Sequence, residues 1–332
     1  MNIKETLFEL SNAVSIGNIT EASKKAYEEL SKYTDATQNG TEVIGKIKGE
    51  QDYTLMLEAH IDEVGFIVTD VDTAGFLTVK NCGGIDLRML PARTVTIHGK
   101  EKVIGVFCAT PPHLGGPKEY DDISVLKIDT LLGETAKDVI SAGDFVTFNT
   151  NATELSNGRV TGKSLDNRAG VVCLLALAEK LQGKKLPYNI VFAFTDAEEL
   201  GNRGAKTTAF DVSPDESIVL DVSFADAPDV ASNECGKLGG GAMIGISPIL
   251  DKSLSKRLIS VAKENNLSYQ TEVMGSRTGT NGDVISVSKS GVKTGLVSVP
   301  LRNMHTDCEI IDVKDIENVC ELLLKYVLGG NA

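Results

Sequence analysis

Two adjacent glutamates, Glu198 and Glu199, close an apolar run over 189–195 and are followed directly by Leu200-Gly201. Neighbouring carboxylates on a tight turn can point apart, one toward a cation and one toward a water whose proton must be moved. Other candidates share this setting. His60 and Asp62 follow the apolar stretch 53–57. Being two apart, they project to one side of an extended chain, where a carboxylate can fix the imidazole tautomer and free its other nitrogen for metal. Asp166 lies in Gly162-Lys163-Ser164-Leu165-Asp166-Asn167, ahead of a stretch rich in small apolar residues. Either Asp166 or Asn167 reads as a helix cap, or Asp166 is a carboxylate whose two oxygens could bridge two cations. Asp221 ends the buried run Ile218-Val219-Leu220, and His305 follows the apolar run 295–300. Singly, each is an ordinary loop or structural residue. Jointly, all lie at or just beyond the carboxyl ends of predicted strands, the rim where open α/β sheets place their chemistry.

Imidazole and carboxylate together suit zinc, cobalt or manganese better than calcium. Three carboxylates leave two divalent ions with one uncompensated charge, which a bridging hydroxide cancels. The chemistry expected is two-metal hydrolysis, with ions ~3.5–4 Å apart activating a water between them. One of the two adjacent glutamates is then left to take the proton from that water and deliver it to a leaving amine.

The elements that must position these residues fall into two rhythms. Residues 3–14 and 22–33 carry helical spacing, the second after Thr20 as N-cap. Strands over 43–47 and 53–57 are joined by a polar turn. Short strands with glycine turns follow over 66–71, 76–80, 94–97, 103–108 and 145–148, a small β-barrel or sandwich. Thereafter helices (168–182, near 203–210, 252–265, 282–289, 313–327) alternate with strands (189–195, 217–221, 269–274, 292–298). That alternation predicts a mostly parallel sheet sandwiched by helices. The expected fold class is therefore α/β, with residues 1–65 and 160–332 forming one domain and 66–159 an inserted β-rich block.

Composition bounds the partners. The 332 residues carry a formal charge of −13, which argues against nucleic acid or an anionic membrane surface. Apolar content is 42% and charged content 24%, as in soluble globular chains. Met1-Asn2-Ile3-Lys4-Glu5 opens no apolar signal region, and no apolar run approaches the ~20 residues of a membrane span. The six cysteines are scattered without a C-x-x-C pair, so a reducing cytoplasm is expected. Tryptophan is absent, leaving no stacking platform for sugars and no support for a cellulase. His98, His113 and Cys308 are expected to be structural or surface residues, with Cys308 in buried packing.

With these residues in hand, the chain resembles the glutamyl-aminopeptidase and tetrahedral-aminopeptidase family of cocatalytic metallopeptidases, some of whose members carry endoglucanase or deblocking labels. The matching motifs are Ala59-His60-Ile61-Asp62-Glu63-Val64-Gly65-Phe66, Gly162-Lys163-Ser164-Leu165-Asp166-Asn167-Arg168, Glu198-Glu199-Leu200-Gly201, Leu220-Asp221 and Met304-His305. The resemblance covers essentially the whole chain and implies a zinc-exopeptidase-like fold. It implies one metal on His60, Asp166 and Asp221, and a second on Asp166, Glu199 and His305. Glu198 would be the general base and Asp62 the carboxylate behind His60. It further implies peptide substrates cleaved at the N-terminus, and a tetrahedral homo-oligomer of twelve subunits built through the inserted block. Ala197 stands where the family has glutamine, Gly279-Thr280-Asn281-Gly282-Asp283 where a Gly-Thr-Asp segment is usual, and Asn303 where tyrosine is common. A preference for glutamate is not carried over. Two rivals remain: an amidase or deacylase using the same metal residues, and a catalytically silent scaffold.

Overall fold

Four mutually parallel strands run through the centre of the molecule, in the spatial order Lys293–Arg302, Glu216–Phe224, Gln51–His60 and Tyr188–Thr195. The computed structural model describes residues 1–115, 120, 122–228 and 230–329. The central strands bury both faces, which is why their sequences read as continuous apolar runs rather than alternations. Leu55, Leu57, Ile190 and Phe192 face one layer of helices, including Leu165–Lys180 and Val313–Leu328. Met56, Val191 and Ala193, one residue out of step, face the helix Arg203–Val212 on the other side. Antiparallel strands extend both edges: Glu42–Ile47 and Asp35–Asn39 at one, Glu309–Asp312, Arg159–Gly162 and Thr153–Glu154 at the other. Ala242–Ile246 branches from Lys293–Arg302 and carries Tyr269–Val273 beside it. No helix among the described residues is long and apolar enough to cross a membrane.

Glu42–Ile47 and Gln51–His60 are joined by the short turn expected, but they do not pair with each other. Tyr188–Thr195 lies between them, antiparallel to Glu42–Ile47 and parallel to Gln51–His60. The intervening turn is tied to the incoming strand: Glu50 N–H donates to the Leu186 carbonyl, and Gly49 N–H to the Asn189 side chain. A strand from more than a hundred residues away thus outcompetes the local hairpin because it buries an apolar run on both faces. Two smaller expectations also change. Thr20 precedes the helix Glu21–Leu30 but makes no side-chain cap; the Glu21 carboxylate instead accepts from Val14 N–H. The helix expected over 282–289 is only Gly282–Ile285, after which the chain turns through bonds from Ser288 and Gly291 N–H.

The inserted block is a closed barrel rather than a sandwich. Its strands run in the order Ile128–Asp129, Leu77–Cys82, Gly65–Val71, Phe145–Phe148, Thr94–His98 and Lys102–Phe107, and the last pairs back with the first. Closure removes exposed strand edges, the usual hazard of small antiparallel sheets. Phe66 sits at its core, edge-on to Phe107 and Phe148 with ring centroids 5.1 and 5.6 Å away. Such pairs add about 0.5–1.5 kcal/mol beyond simple burial.

The junction between barrel and large sheet is held by a buried carboxylate. Glu63 receives Lys163 Nζ at 2.6 Å, Ser164 Oγ at 2.6 Å, Ser15 N–H at 3.0 Å and Arg168 Nη2 at 3.4 Å. Removing one member of such a buried ionic cluster typically costs about 3–5 kcal/mol, because the others lose their counter-charge. The cluster fixes the segment that presents Asp166 to the strand end carrying His60.

Candidate metal centre

The sheet delivers its candidates from four directions to one rim. His60 ends Gln51–His60, and Asp221 lies on the neighbouring Glu216–Phe224, which runs three residues farther than expected. Glu198 and Glu199 follow Tyr188–Thr195 after a turn in which Ala197 takes a left-handed φ of 54°. His305 follows Lys293–Arg302 and is itself left-handed, φ 61°. Such backbone costs on the order of 1–3 kcal/mol and persists only where the surroundings hold it. Asp166 and Asn167 have non-helical φ/ψ ahead of the regular turns of Leu165–Lys180, and the capping bond is made by Asn167, whose Oδ1 accepts the Gly170 N–H at 3.0 Å. Of the two residues that could cap this helix, Asn167 does so and the Asp166 carboxylate is directed elsewhere.

Asp166 is the centre of the arrangement. Its Oδ1 lies 3.0 Å from His60 Nε2 and its Oδ2 3.4 Å from His305 Nε2. His60 Nε2 is also 3.7 Å from Asp221 Oδ1, and His305 Nε2 is 3.4 Å from Glu199 Oε1. Two groups of potential ligand atoms, His60 with Asp166 and Asp221, and Asp166 with Glu199 and His305, each gather within 4.8 Å. A third such group joins His60 to Glu198 and Glu199. Glu198 is nevertheless set apart by its own partner, since Asn202 Nδ2 donates to its Oε1 at 2.8 Å.

Asp62 does more than stand behind His60. It lies 3.4 Å from His60 Nδ1, while its two oxygens accept the Glu198 and Glu199 N–H at 3.1 and 3.2 Å. One carboxylate thus stands beside an imidazole and holds the strained turn of the glutamate pair.

The electrostatics are those of crowded acids. Burial, with Asp221, Asp166 and Asp62 nearby, pushes the Glu198 carboxyl up to about 7. Burial and Asp166 push Glu199 up to about 8. Burial also opposes ionisation of Asp166, but hydrogen bonds from His305 and His60 outweigh it and hold this carboxyl below its ordinary value. For His305, burial opposes the cation, yet Asp166 and Glu199 raise it to about 9. Acids that suppress one another's ionisation around two imidazoles are a site in want of positive charge.

Several contributors were not among the expected residues. Glu309 is fully buried and accepts Asp166 N–H at 3.1 Å and His305 N–H at 2.9 Å, tying the central carboxylate to one of its two imidazoles. Asn281 Nδ2 donates to Glu58 Oε1 at 2.7 Å, and its Oδ1 accepts from the same Asn202 that holds Glu198. Glu58 and Thr195 complete this line at 2.6 Å. The turn after Leu77–Cys82 comes close to two of the candidates: a Cβ on Gly84 would lie 3.3 Å from His305 Nδ1, and one on Gly83 3.3 Å from Glu199 Oε2. The other histidines are elsewhere, His98 against Thr147 Oγ1 at 2.9 Å and His113 exposed. Cys308, expected in buried packing, is only half-buried because the turn around it lies near the surface.

All these candidate ligands line a cavity of about 310 Å³ that continues past Ser223 and Ser298 to Glu272. Burial raises the Glu272 carboxyl above its ordinary value against the hydrogen bonds of those two serines.

Residues 41–322 match the M42 glutamyl aminopeptidase family. The lysyl aminopeptidase of Pyrococcus furiosus is 30% identical over 289 residues, 84% of this chain and 82% of its own. The aminopeptidase APDkam598 of the archaeon Desulfurococcus kamchatkensis superposes with a TM-score of 0.92 at 29% identity, covering 98% of this chain and 94% of its own. The Pyrococcus horikoshii TET1 peptidase, which can assemble into a tetrahedron or a large octahedral shell, superposes with a TM-score of 0.87 at 28% identity, covering 98% and 99%. The likeness spans sheet, barrel and rim together. This chain is thus a hydrolase of peptide bonds and belongs to the M42 glutamyl aminopeptidase family.

Proposed function

We propose that the chain is a dinuclear-metal aminopeptidase that removes the N-terminal residue of peptides. The observation that carries this reading is Asp166, whose two oxygens face two imidazoles belonging to two separate donor groups. One ion would be held by His60, Asp166 and Asp221, the other by Asp166, Glu199 and His305. The donors fit: three carboxylates and two imidazoles nearly balance two divalent charges, and the set suits zinc or cobalt first, with manganese possible. Bound there, the ions supply Lewis acidity toward water and the scissile carbonyl.

The chain's own residues do the rest. Glu198 accepts the proton of the attacking water and returns it to the amine that leaves. Asn202 holds Glu198 Oε1 and leaves the other oxygen to face the cavity. Asp62 fixes the turn that separates Glu198 from Glu199 and orients His60 through its Nδ1. Glu309 braces the backbone of Asp166 and His305, so the bridging carboxylate and the far imidazole move together.

Stripping the protein with a chelator and reloading it with zinc, cobalt or manganese tests the metal assignment. Elemental analysis after dialysis should find two ions per chain, with peptide cleavage lost on stripping and regained on loading. One ion per chain, or full activity in the stripped protein, contradicts the dinuclear site. The barrel is proposed to build a tetrahedral homo-oligomer, whose closed symmetry has twelve equivalent positions. Light scattering should then give a mass near twelve times the 35.4 kDa of one chain, and a monomeric or dimeric mass contradicts it. A cytoplasmic setting suits the six scattered, unpaired cysteines.

A further inference from the structure

We propose that Glu272 selects substrates whose N-terminal residue ends in a cation on an aliphatic stem, lysine or arginine. This rests on the aminopeptidase reading and names its substrate class. The cavity that opens on the metal centre has a second end, and that end is acidic. Ser298 Oγ donates to Glu272 Oε2 at 3.4 Å, and Ser223 Oγ donates to Oε1. Both serines are indexed to the site: Ser298 pairs in register with Asp221 on the adjacent strand, and Ser223 follows Asp221 by two on its own strand. Residues two apart on a strand share a face and stand roughly 6.6 Å apart. The Glu272 carboxylate is therefore fixed, through these two serines, in the same cavity as the candidate metal ligands.

The chemistry of the walls defines the occupant. Met274, Leu296 and Met304 line the same cavity, a surface suited to a methylene stem. No lysine or arginine is among the described residues lining it, so Glu272 has hydroxyl donors but no counter-ion. A half-buried carboxylate with no cation carries an unrepaid desolvation cost, which an arriving ammonium or guanidinium would relieve. An acidic side chain would meet like charge at the same point. The other three carboxylates and the glutamate base at the near end are occupied by metal binding and proton transfer, which leaves Glu272 as the acid free to face substrate.

A purely structural role is the competing explanation, since the serine bonds also fasten Tyr269–Val273 to the sheet. Glu272→Gln separates the two, because the amide keeps the size and an acceptor oxygen but loses the charge. Cleavage of otherwise identical peptides beginning with lysine, norleucine or glutamate would be followed on the metal-loaded protein and this variant. The native protein should rank lysine over norleucine and norleucine over glutamate in kcat/KM. In Glu272→Gln the lysine-to-norleucine ratio should fall by about ten- to a hundredfold, the size of a charge-assisted hydrogen bond. Calorimetric binding of free L-lysine against free L-norleucine should show the same loss of ratio without any turnover. A native preference for norleucine or glutamate overturns the proposal. So does an unchanged ratio with all peptides slowed alike, which would mark Glu272 as structural or as an amine anchor. Failure to cleave any free peptide defeats the aminopeptidase reading itself, whereas cleavage without cation preference defeats only the role of Glu272.

Discussion

Glu198→Gln should keep both metal ions and lose turnover by a factor on the order of 10²–10⁴, the usual contribution of a positioned acid–base group. The substitution is nearly isosteric, and its oxygen can still accept from Asn202, which holds Oε1 at 2.8 Å in the native chain. Nothing in the two donor groups around Asp166 is disturbed, because neither contains Glu198. What disappears is the ability to carry a proton from water to amine. The fall should appear in kcat more than in KM, since the interaction removed is made during reaction rather than during binding. Elemental analysis of the variant should still find two ions per chain. A fully active variant would remove Glu198 from the base role, and loss of an ion would move it into the ligand set with His60 and Glu199.

The second large effect belongs to Asp166→Asn. The amide presents one oxygen where the carboxylate presented two, and it brings no negative charge. Both imidazoles now lie against this one side chain, His60 at 3.0 Å and His305 at 3.4 Å, so both metal positions should weaken together. Even partners one bond removed from a metal typically change affinity 10–100-fold, and a shared ligand should exceed that. After dialysis the variant should hold one ion at most, and activity should fall with metal content rather than independently of it. Retention of two tightly held ions would exclude a bridging Asp166.

Much of this was legible in the chain because it is local. Apolar runs ending in an acid or a histidine mark strand exits, and His60, Glu199, Asp221 and His305 stand out in the sequence for that reason. The two-residue spacing of His60 and Asp62 also pointed to their contact. Less legible was anything set by partners far along the chain. Glu309 serves Asp166 from 143 residues away, and Asn281 reaches Glu58 across 223. Each looks like an ordinary surface acid or turn residue until the strands are ordered. The partner of Gln51–His60 and Glu42–Ile47 is hidden for the same reason, because Tyr188–Thr195 enters between them from far along the chain. Glu272 shows the limit most clearly. Its strand was expected over 269–274, but its neighbour Ala242–Ile246 was not, and without that neighbour nothing places Glu272 in the cavity. Ile128–Asp129 closes the barrel with two residues, too few to carry a periodic pattern.

The most direct test of the central claim is cleavage of matched short peptides, free or acetylated at the N-terminus, by the metal-loaded protein. Release of single residues from the free peptides only is the result this account requires. Equal cleavage of the blocked peptides would make the enzyme a deacylating or deblocking amidase, and no cleavage with two ions bound would leave the fold without the proposed activity.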